Sequence, residues 1–450
     1  MTVYRMNMNI ASAKSQVRPL PQAVDEIQHH EIQNQPPSNP TSWMAQVLAR
    51  DNLVRALNQV KRNKGAAGVD GMTVDRLSDY LKQHWPALKE QLETGNYQPE
   101  PVKRVEIPKA DGRKRKLGIP TVLDRFIQQA IAQVLSQHWE SQFHNNSYGF
   151  RPMRSAHQAV SYAKALLLSG KGWVVDLDLD AFFDRVNHDR LMSKLRAQIQ
   201  DPTLLKLIHR YLKARIEHNG KQEACREGVP QGGPLSPLLA NIVLNELDWE
   251  LERRGHSFAR YADDCQIYTG SKRAGERIKQ SIERFIEIRL RLKVNKAKSA
   301  VARPWERSFL GFTFSRRKGN KLKVIDKALD RLKDKLRELT RRTRGHNIGS
   351  VIADIRKARL GWKAYFGIAE VQSQLRDTDK WLRRKLRCYI WKQWGSKGYR
   401  MLRKAGVDRF LAWNTAKSAH GPWRLSKSPA LYIALPNRYF TNMGLPTIAA

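Results

Sequence analysis

Two short acidic stretches stand out in a chain otherwise rich in lysine and arginine. In Trp173-Val174-Val175-Asp176-Leu177-Asp178-Leu179-Asp180 the last six residues alternate strictly between apolar and acidic. A strand turns successive side chains to opposite faces, so Asp176, Asp178 and Asp180 share one face while Val175, Leu177 and Leu179 enter a core. Like charges lined along one strand repel unless a cation sits among them. The second stretch, Phe258-Ala259-Arg260-Tyr261-Ala262-Asp263-Asp264-Cys265-Gln266-Ile267-Tyr268, sets two acids between apolar runs that read as strands joined by a tight turn. An acidic strand face or an Asp-containing turn is common by itself. Three or four carboxylates from two strands, however, are hard oxygen ligands suited to Mg²⁺. Two such ions about 4 Å apart would activate an attacking hydroxyl and stabilise the leaving oxygen of an in-line phosphoryl displacement.

The rest of the composition points to what such a site would act on. The formal charge is +39, from 81 lysines and arginines against 42 aspartates and glutamates. A globule with that surplus repels itself, so a polyanion is its natural partner. The charge is not spread evenly: residues 1–40 carry three basic and three acidic residues, whereas 321–400 carry 23 basic and eight acidic. Trp362, Tyr365, Phe366, Trp381, Tyr389, Trp391 and Trp394 are interleaved with that basic stretch. Cations that neutralise phosphates, beside flat rings that stack on bases, are the pairing of nucleic-acid grooves. Three cysteines, far apart in the chain, exclude a disulfide framework and a clustered zinc site, and fit a reducing cytoplasm. No apolar run reaches the ~18 residues of a membrane span.

The elements that must position these residues follow from periodicity and punctuation. Residues 1–42 are polar and proline-rich, a flexible leader. Helical spacing runs from Trp43 to about Leu92, broken at 65–71. A hairpin is expected over 102–119, with Ala110-Asp111-Gly112 as its turn and a basic tip. Helical spacing resumes over 121–139 and 201–214. Ser236-Pro237 reads as a hydroxyl cap with proline at the first helical position. Ile278, Ile282, Phe285, Ile286 and Leu290 mark an amphipathic helix over 276–290. Ile325, Leu329, Leu332, Leu336 and Leu339 mark a basic one after 318. The pattern is α+β up to about 317 and all-helical beyond.

Ordered blocks then carry a resemblance. They are Gly68-Val69-Asp70-Gly71; Ile107-Pro108-Lys109 with Leu117-Gly118-Ile119-Pro120; Tyr148-Gly149-Phe150-Arg151-Pro152; Asp178 through Phe183-Asp184 to His188; Pro230-Gln231-Gly232-Gly233-Pro234-Leu235-Ser236-Pro237; Tyr261-Ala262-Asp263-Asp264; Asn295 with Lys298; and Phe309-Leu310-Gly311-Phe312. Over roughly residues 45–445 the chain resembles the bacterial group II intron reverse transcriptase/maturase family. The resemblance implies a right-hand polymerase: fingers and an antiparallel-sheet palm over 43–317, a helical thumb/maturase domain over 318–395, and a basic DNA-binding region over 396–450. It implies catalytic, metal-binding roles for Asp178, Asp263 and Asp264, with Leu179 lending a backbone carbonyl, and makes Asp176 and Asp180 neighbours rather than ligands. Two Mg²⁺ ions, with Mn²⁺ as a substitute, are the implied cofactors. Lys109 and Arg115 would grip the incoming triphosphate, Phe183 would exclude a 2′-hydroxyl, Gln231 and Gly232 would line the nucleotide pocket, and Lys298 would lie near the leaving pyrophosphate.

The implied partners are intron RNA, an RNA template with a DNA primer, deoxynucleoside triphosphates and target DNA, with no membrane. Arg337, Arg341, Arg342, Arg344, Lys363, Arg383, Arg384 and Lys385 are the candidate RNA contacts. Longer family members add a zinc-bearing endonuclease that needs clustered cysteines, so none is expected here, and priming would come from another source such as a replication fork. The activity expected is RNA-directed DNA synthesis with splicing assistance. A reverse transcriptase adopted for host defence or repair and a catalytically idle splicing factor are the alternatives.

Overall fold

The computed structural model describes residues 42–108, 114–317 and 319–449. The expected leader (apart from Ser42), the tip of the 102–119 hairpin, Lys109 and the side chain of Arg115 lie outside what is described. The chain divides into two compact units at Ala302/Arg303.

The first unit opens with α1 (Trp43–Leu48), α2 (Arg50–Asn63) and, across the break at 65–71, α3 (Leu77–Glu93). Strands β1 (Val102–Pro108) and β2 (Lys114–Ile119) form the expected hairpin. Helix α4 (Val122–Glu140) starts at Thr121, whose hydroxyl accepts from the Asp124 N–H at 3.1 Å, and buries Phe126, Ile127, Ile131 and Leu135 in the core. Then come α5 (Ala156–Leu168), β3 (Trp173–Leu177), α6 (His188–Arg196), α7 (Pro202–Lys213), β4 (Ile216–His218), β5 (Lys221–Glu223), α8 (Ser236–Arg253), β6 (Ser257–Tyr261), β7 (Asp264–Thr269), α9 (Lys272–Phe285) and β8 (Ala300–Ala302). One sheet runs β2-β1-β4-β5, the other β6-β7-β3-β8. Every pairing in the second is antiparallel, whereas β1 and β4 pair in parallel through Val102↔Ile216.

Ser236 does not cap α8. It is the first helical residue, and its hydroxyl donates to the Pro230 carbonyl at 2.7 Å, bracing the preceding turn instead.

The second unit begins with a short hairpin, β9 (Phe312–Phe314) and β10 (Leu322–Val324), before the helices α10 (Asp326–Leu339), α11 (Ile348–Phe366) and α12 (Ser373–Trp394). The Phe312 ring packs on Tyr365 and Phe366, and the Tyr365 hydroxyl donates to the Leu310 carbonyl at 2.8 Å. Those contacts draw the hairpin into the helical unit, so the division falls ahead of the expected 317/318 boundary. Helices α13 (Gly398–Lys404), α14 (Arg409–Lys417), α15 (Pro422–Leu425), α16 (Pro429–Ala434) and α17 (Asn437–Asn442) follow. The sequence draws a further line at 395/396, yet side chains cross it. Arg387 donates to the Leu435 carbonyl at 2.9 Å, and Asp379 accepts the N–H groups of Ile448 and Ala449 at 3.2 Å. Among the described residues no helix is long and apolar enough to cross a membrane.

Candidate active site

The antiparallel sheet decides where the acids stand. Strand β3 pairs with β7 through Asp176↔Gln266 and Leu177↔Cys265, and β6 with β7 through Tyr261↔Asp264. Continued by one step, the first register sets Asp178 against Asp264. Residues directly opposite share a face, with Cα atoms about 4.5–5.5 Å apart. Asp263 sits in the two-residue connection between β6 and β7, where Ala262 takes φ 57°. A positive φ at the first loop residue is what so short a hairpin turn requires. The two acidic stretches therefore meet at one end of the sheet.

The other face of the same strands is dry. Val175, Leu177, Cys265 and Ile267 are each at most 3% exposed. Helix α9 lies so close that a Cβ on Gly275 would come within 2.6 Å of Val301 Cγ1. Apolar packing on one face thus fixes which face the acids take.

The side chains beside Asp178 divide their work. Asp176 accepts from Gln266 Nε2 at 3.2 Å, and Asp180 pairs with Arg185 at 3.2 Å. The Asp178 N–H donates to Ser299 Oγ at 3.0 Å, and its carbonyl accepts from the Asn295 N–H at 2.8 Å. The Asn295 carbonyl in turn accepts the N–H groups of Lys298 and Ser299. That turn carries Lys298 Nζ to 3.6 Å from the Asp178 carboxylate. Leu179 is buried, in an isolated antiparallel bridge with Val294. Among the described residues, no three His, Cys, Asp or Glu side chains stand together as a metal cluster. Hard carboxylate oxygens from adjoining strand ends are a donor set that fits Mg²⁺ or Mn²⁺.

Phe183 lies half-buried in a single 3₁₀ turn, Phe182–Asp184, with its carbonyl accepting from the Val229 N–H at 2.6 Å. Two residues beyond Val229, the Gln231 carbonyl accepts from the Gly118 N–H of β2 at 2.9 Å. Gly232 has φ 141°, and a Cβ there would lie 2.1 Å from the Gly118 carbonyl oxygen. Only glycine allows that approach. Phe183, Gln231, Gly232 and the β1–β2 hairpin are therefore drawn together, with the backbone of Arg115 opposite Ile107.

In the second unit, Arg337, Arg341, Arg342 and Lys385 line one cavity of about 800 Å³ with Trp423 and Cys388. Three of the other basic candidates have partners of their own. Arg344 donates to the Leu339 carbonyl and pairs with Asp354, and Lys363 donates to the Thr447 carbonyl. The Arg384 guanidinium stacks 3.7 Å from the Trp423 ring centre and donates to Ser426 Oγ. Arg383 is partly exposed on α12.

Sequence reasoning missed Arg260 and Asp248, which are 1% and 0% exposed. Arg260 Nε and Nη2 donate to the two Asp248 oxygens at 2.6 and 2.5 Å, and Nη2 also reaches Ser147 Oγ at 2.7 Å. Its Nη1 donates to Asn241 Oδ1 at 3.1 Å and to the Ala262 carbonyl at 2.8 Å. Burial disfavours the charge on Arg260, but Asp248 outweighs it and holds the guanidinium above its ordinary pKa. The available signal was Asp248 itself, an acid on the apolar side of α8 in step with Leu244 and Leu251, which demands a buried cation.

Residues 107–314 match the family of reverse transcriptases (RNA-dependent DNA polymerases), and residues 329–406 match the maturase-specific domain of group II introns. Protein YkfC of Escherichia coli (strain K12) is 37% identical over 290 residues, covering 55% of this chain and 76% of that protein. The group II intron-encoded protein LtrA of Lactococcus lactis subsp. cremoris is 37% identical over 203 residues, covering 45% of this chain. This chain spans 34% of the LtrA length in that match. Among solved structures, a Cas6-RT-Cas1–Cas2 complex aligns over 92% of this chain and 61% of that chain, at 15% identity and a TM-score of 0.38.

Proposed function

The chain belongs to the family of group II intron reverse transcriptases with a maturase domain, and on that premise we propose that Asp178, Asp263 and Asp264 carry its RNA-directed DNA synthesis. The reverse transcriptase domain is a nucleotidyltransferase, and domains of this kind use divalent metals. The observation that carries the assignment is the sheet register, which runs Asp178 against Asp264 with Asp263 in the adjoining turn. The three carboxylates would hold two Mg²⁺ ions, with Leu179 supplying its carbonyl. When bound, the ions would activate the primer's 3′-hydroxyl and offset charge on the leaving pyrophosphate.

The remaining roles belong to this chain's own residues. Phe183 would press on the sugar of the incoming nucleotide and bar a 2′-hydroxyl. Gln231 and Gly232, held to β2 through Gly118, would present backbone close to that nucleotide. Lys109 and Arg115 would take the triphosphate, and Lys298 would balance negative charge beside Asp178. In the second unit, Arg337, Arg341, Arg342 and Lys385 would neutralise phosphates of intron RNA, which is how the chain would assist splicing. The basic region from 396 onward would meet target DNA.

Primer extension on an RNA template with Mg²⁺ tests the assignment. Asp263→Asn should lower synthesis about a thousandfold or more while RNA affinity stays within about twofold, because the lost interaction serves the reaction and not binding. Wild-type rates in that variant would refute the assignment.

A further inference from the structure

Beneath the Ala262–Asp263 turn lies a closed polar network that the acids alone do not explain. All five N–H donors of Arg260 have a partner: two bonds to Asp248, one each to Asn241, Ser147 and the Ala262 carbonyl. Asn241 passes the constraint onward, donating through Nδ2 to the Gly149 carbonyl at 2.8 Å. Gly149 touches the turn directly, since a Cβ there would lie 2.4 Å from the Ala262 nitrogen. The backbone is laced as well: the Arg260 N–H donates to the Asn146 carbonyl and the Tyr148 N–H to the Arg260 carbonyl, both at 2.9 Å. The 146–149 loop therefore runs as a brace along β6, ending under the turn.

A buried ion pair adds little net stability over apolar residues of similar volume. What this one provides is geometry, because a planar guanidinium ties four different groups to one plane. Ala262 holds a left-handed backbone, which a non-glycine residue adopts only when its surroundings over-determine it. We propose that Arg260 is a positioning residue: braced by Asp248, it anchors the Ala262 carbonyl and so sets where Asp263 and Asp264 stand at the end of β3.

This rests on the reading of the three acids given above, and two readouts separate the claims. Arg260→Lys keeps the charge opposite Asp248 but offers three donors on one nitrogen in place of five in a planar fork, too few for the five bonds Arg260 makes. In the full-length variant, hydrogen exchange at the amides of 262–265 should quicken about tenfold or more, with α4 and α9 unchanged. The Mn²⁺ concentration for half-maximal DNA synthesis should rise about tenfold, with the rate at saturating metal within about threefold of wild type. A lowered melting temperature with unchanged exchange at 262–265 and unchanged Mn²⁺ half-saturation would overturn the proposal. If Arg260→Lys does not fold, Asp248→Asn keeps the arginine and the shape of its partner but withdraws the charge that braces the guanidinium. It should produce the same two shifts, and their absence overturns the proposal equally. Should the wild-type chain synthesise no DNA, the reading of the acids falls, and exchange at the turn alone then decides the role of Arg260.

Discussion

At the β6–β7 turn an exposed Asp263 and a half-buried Asp264 stand above one arginine whose donors are all engaged. The cavity of the second unit is built the other way, with Arg337, Arg341, Arg342 and Lys385 around open space beside Trp423. In the first region few charges are placed by backbone register, a left-handed residue and a buried ion pair. In the second, many cations sit on long, flexible stems, several of them shared with neighbouring rings, as Arg337 and Lys385 are with Trp381. Reaction chemistry depends on ångström placement of a few atoms, whereas phosphate binding sums over many weak, interchangeable contacts. The first region should therefore fail abruptly on a single change, and the second should decline by degrees.

The largest effect expected is collective and belongs to the second region. RNA affinity should fall by about 10³–10⁵ between ~50 and ~200 mM salt if six to ten phosphates are contacted. Filter binding across that range measures it, and a flat response would remove the electrostatic contrast between the regions.

An effect of intermediate size lies in the first unit, away from the acids. Asp124 is buried and accepts from the hydroxyls of Thr121, Tyr97 and Tyr211 at 2.7, 2.8 and 3.2 Å. Burial pushes its pKa up from 3.8 to about 6, against the pull of those hydrogen bonds. The folded chain thus holds this proton more tightly than the unfolded one. The group's contribution favours folding most below about pH 4, declines as pH rises to about 6, and is constant above. At 1.36 kcal/mol per pH unit the whole change is about 3 kcal/mol. Asp124→Asn should remove that slope from the variant, so the difference in denaturation free energy between wild type and variant should change by about 3 kcal/mol between about pH 4 and pH 6. A pH-independent difference would show that the hydroxyls already keep the carboxylate ionised.

The smallest effect sharpens the comparison most. Arg342→Ala should weaken RNA binding only about two- to tenfold, equally for unrelated sequences, and lower the salt slope by about one. DNA synthesis at saturating template should be unchanged. A loss as abrupt as that expected for Asp263→Asn would mean the cavity is a placed site after all.

What could be read before any fold was known divides along the same line. Alternation from Val175 to Asp180 matches the observed alternation of burial, although β3 itself stops at Leu177, and 257–269 reads correctly as strand, turn, strand, because those signals are local. Helix α9 and the basic helix α10 are equally plain from their apolar spacing. The β4–β5 hairpin is three residues a side and polar, so no period could announce it, and its parallel pairing with β1 is purely tertiary. Ser236 reads as a cap from its neighbours, but the Pro230 carbonyl competes for its hydroxyl. Lys298 is singled out only by the family resemblance, and its place beside Asp178 is set by the Asn295 turn. Arg260 and Asp248 are twelve residues apart on different elements, so their pairing emerges only when α8 packs against β6.

One measurement reaches the central claim most directly: anomalous diffraction from crystals of the chain with primer, RNA template, an unreactive nucleotide analogue and Mn²⁺. Manganese should lie within coordinating distance of carboxylate oxygens from both Asp178 and the Asp263–Asp264 pair, showing that the strand ends close on cations. Manganese bound to the nucleotide but to none of these acids, in a complex otherwise aligned for synthesis, would contradict the account.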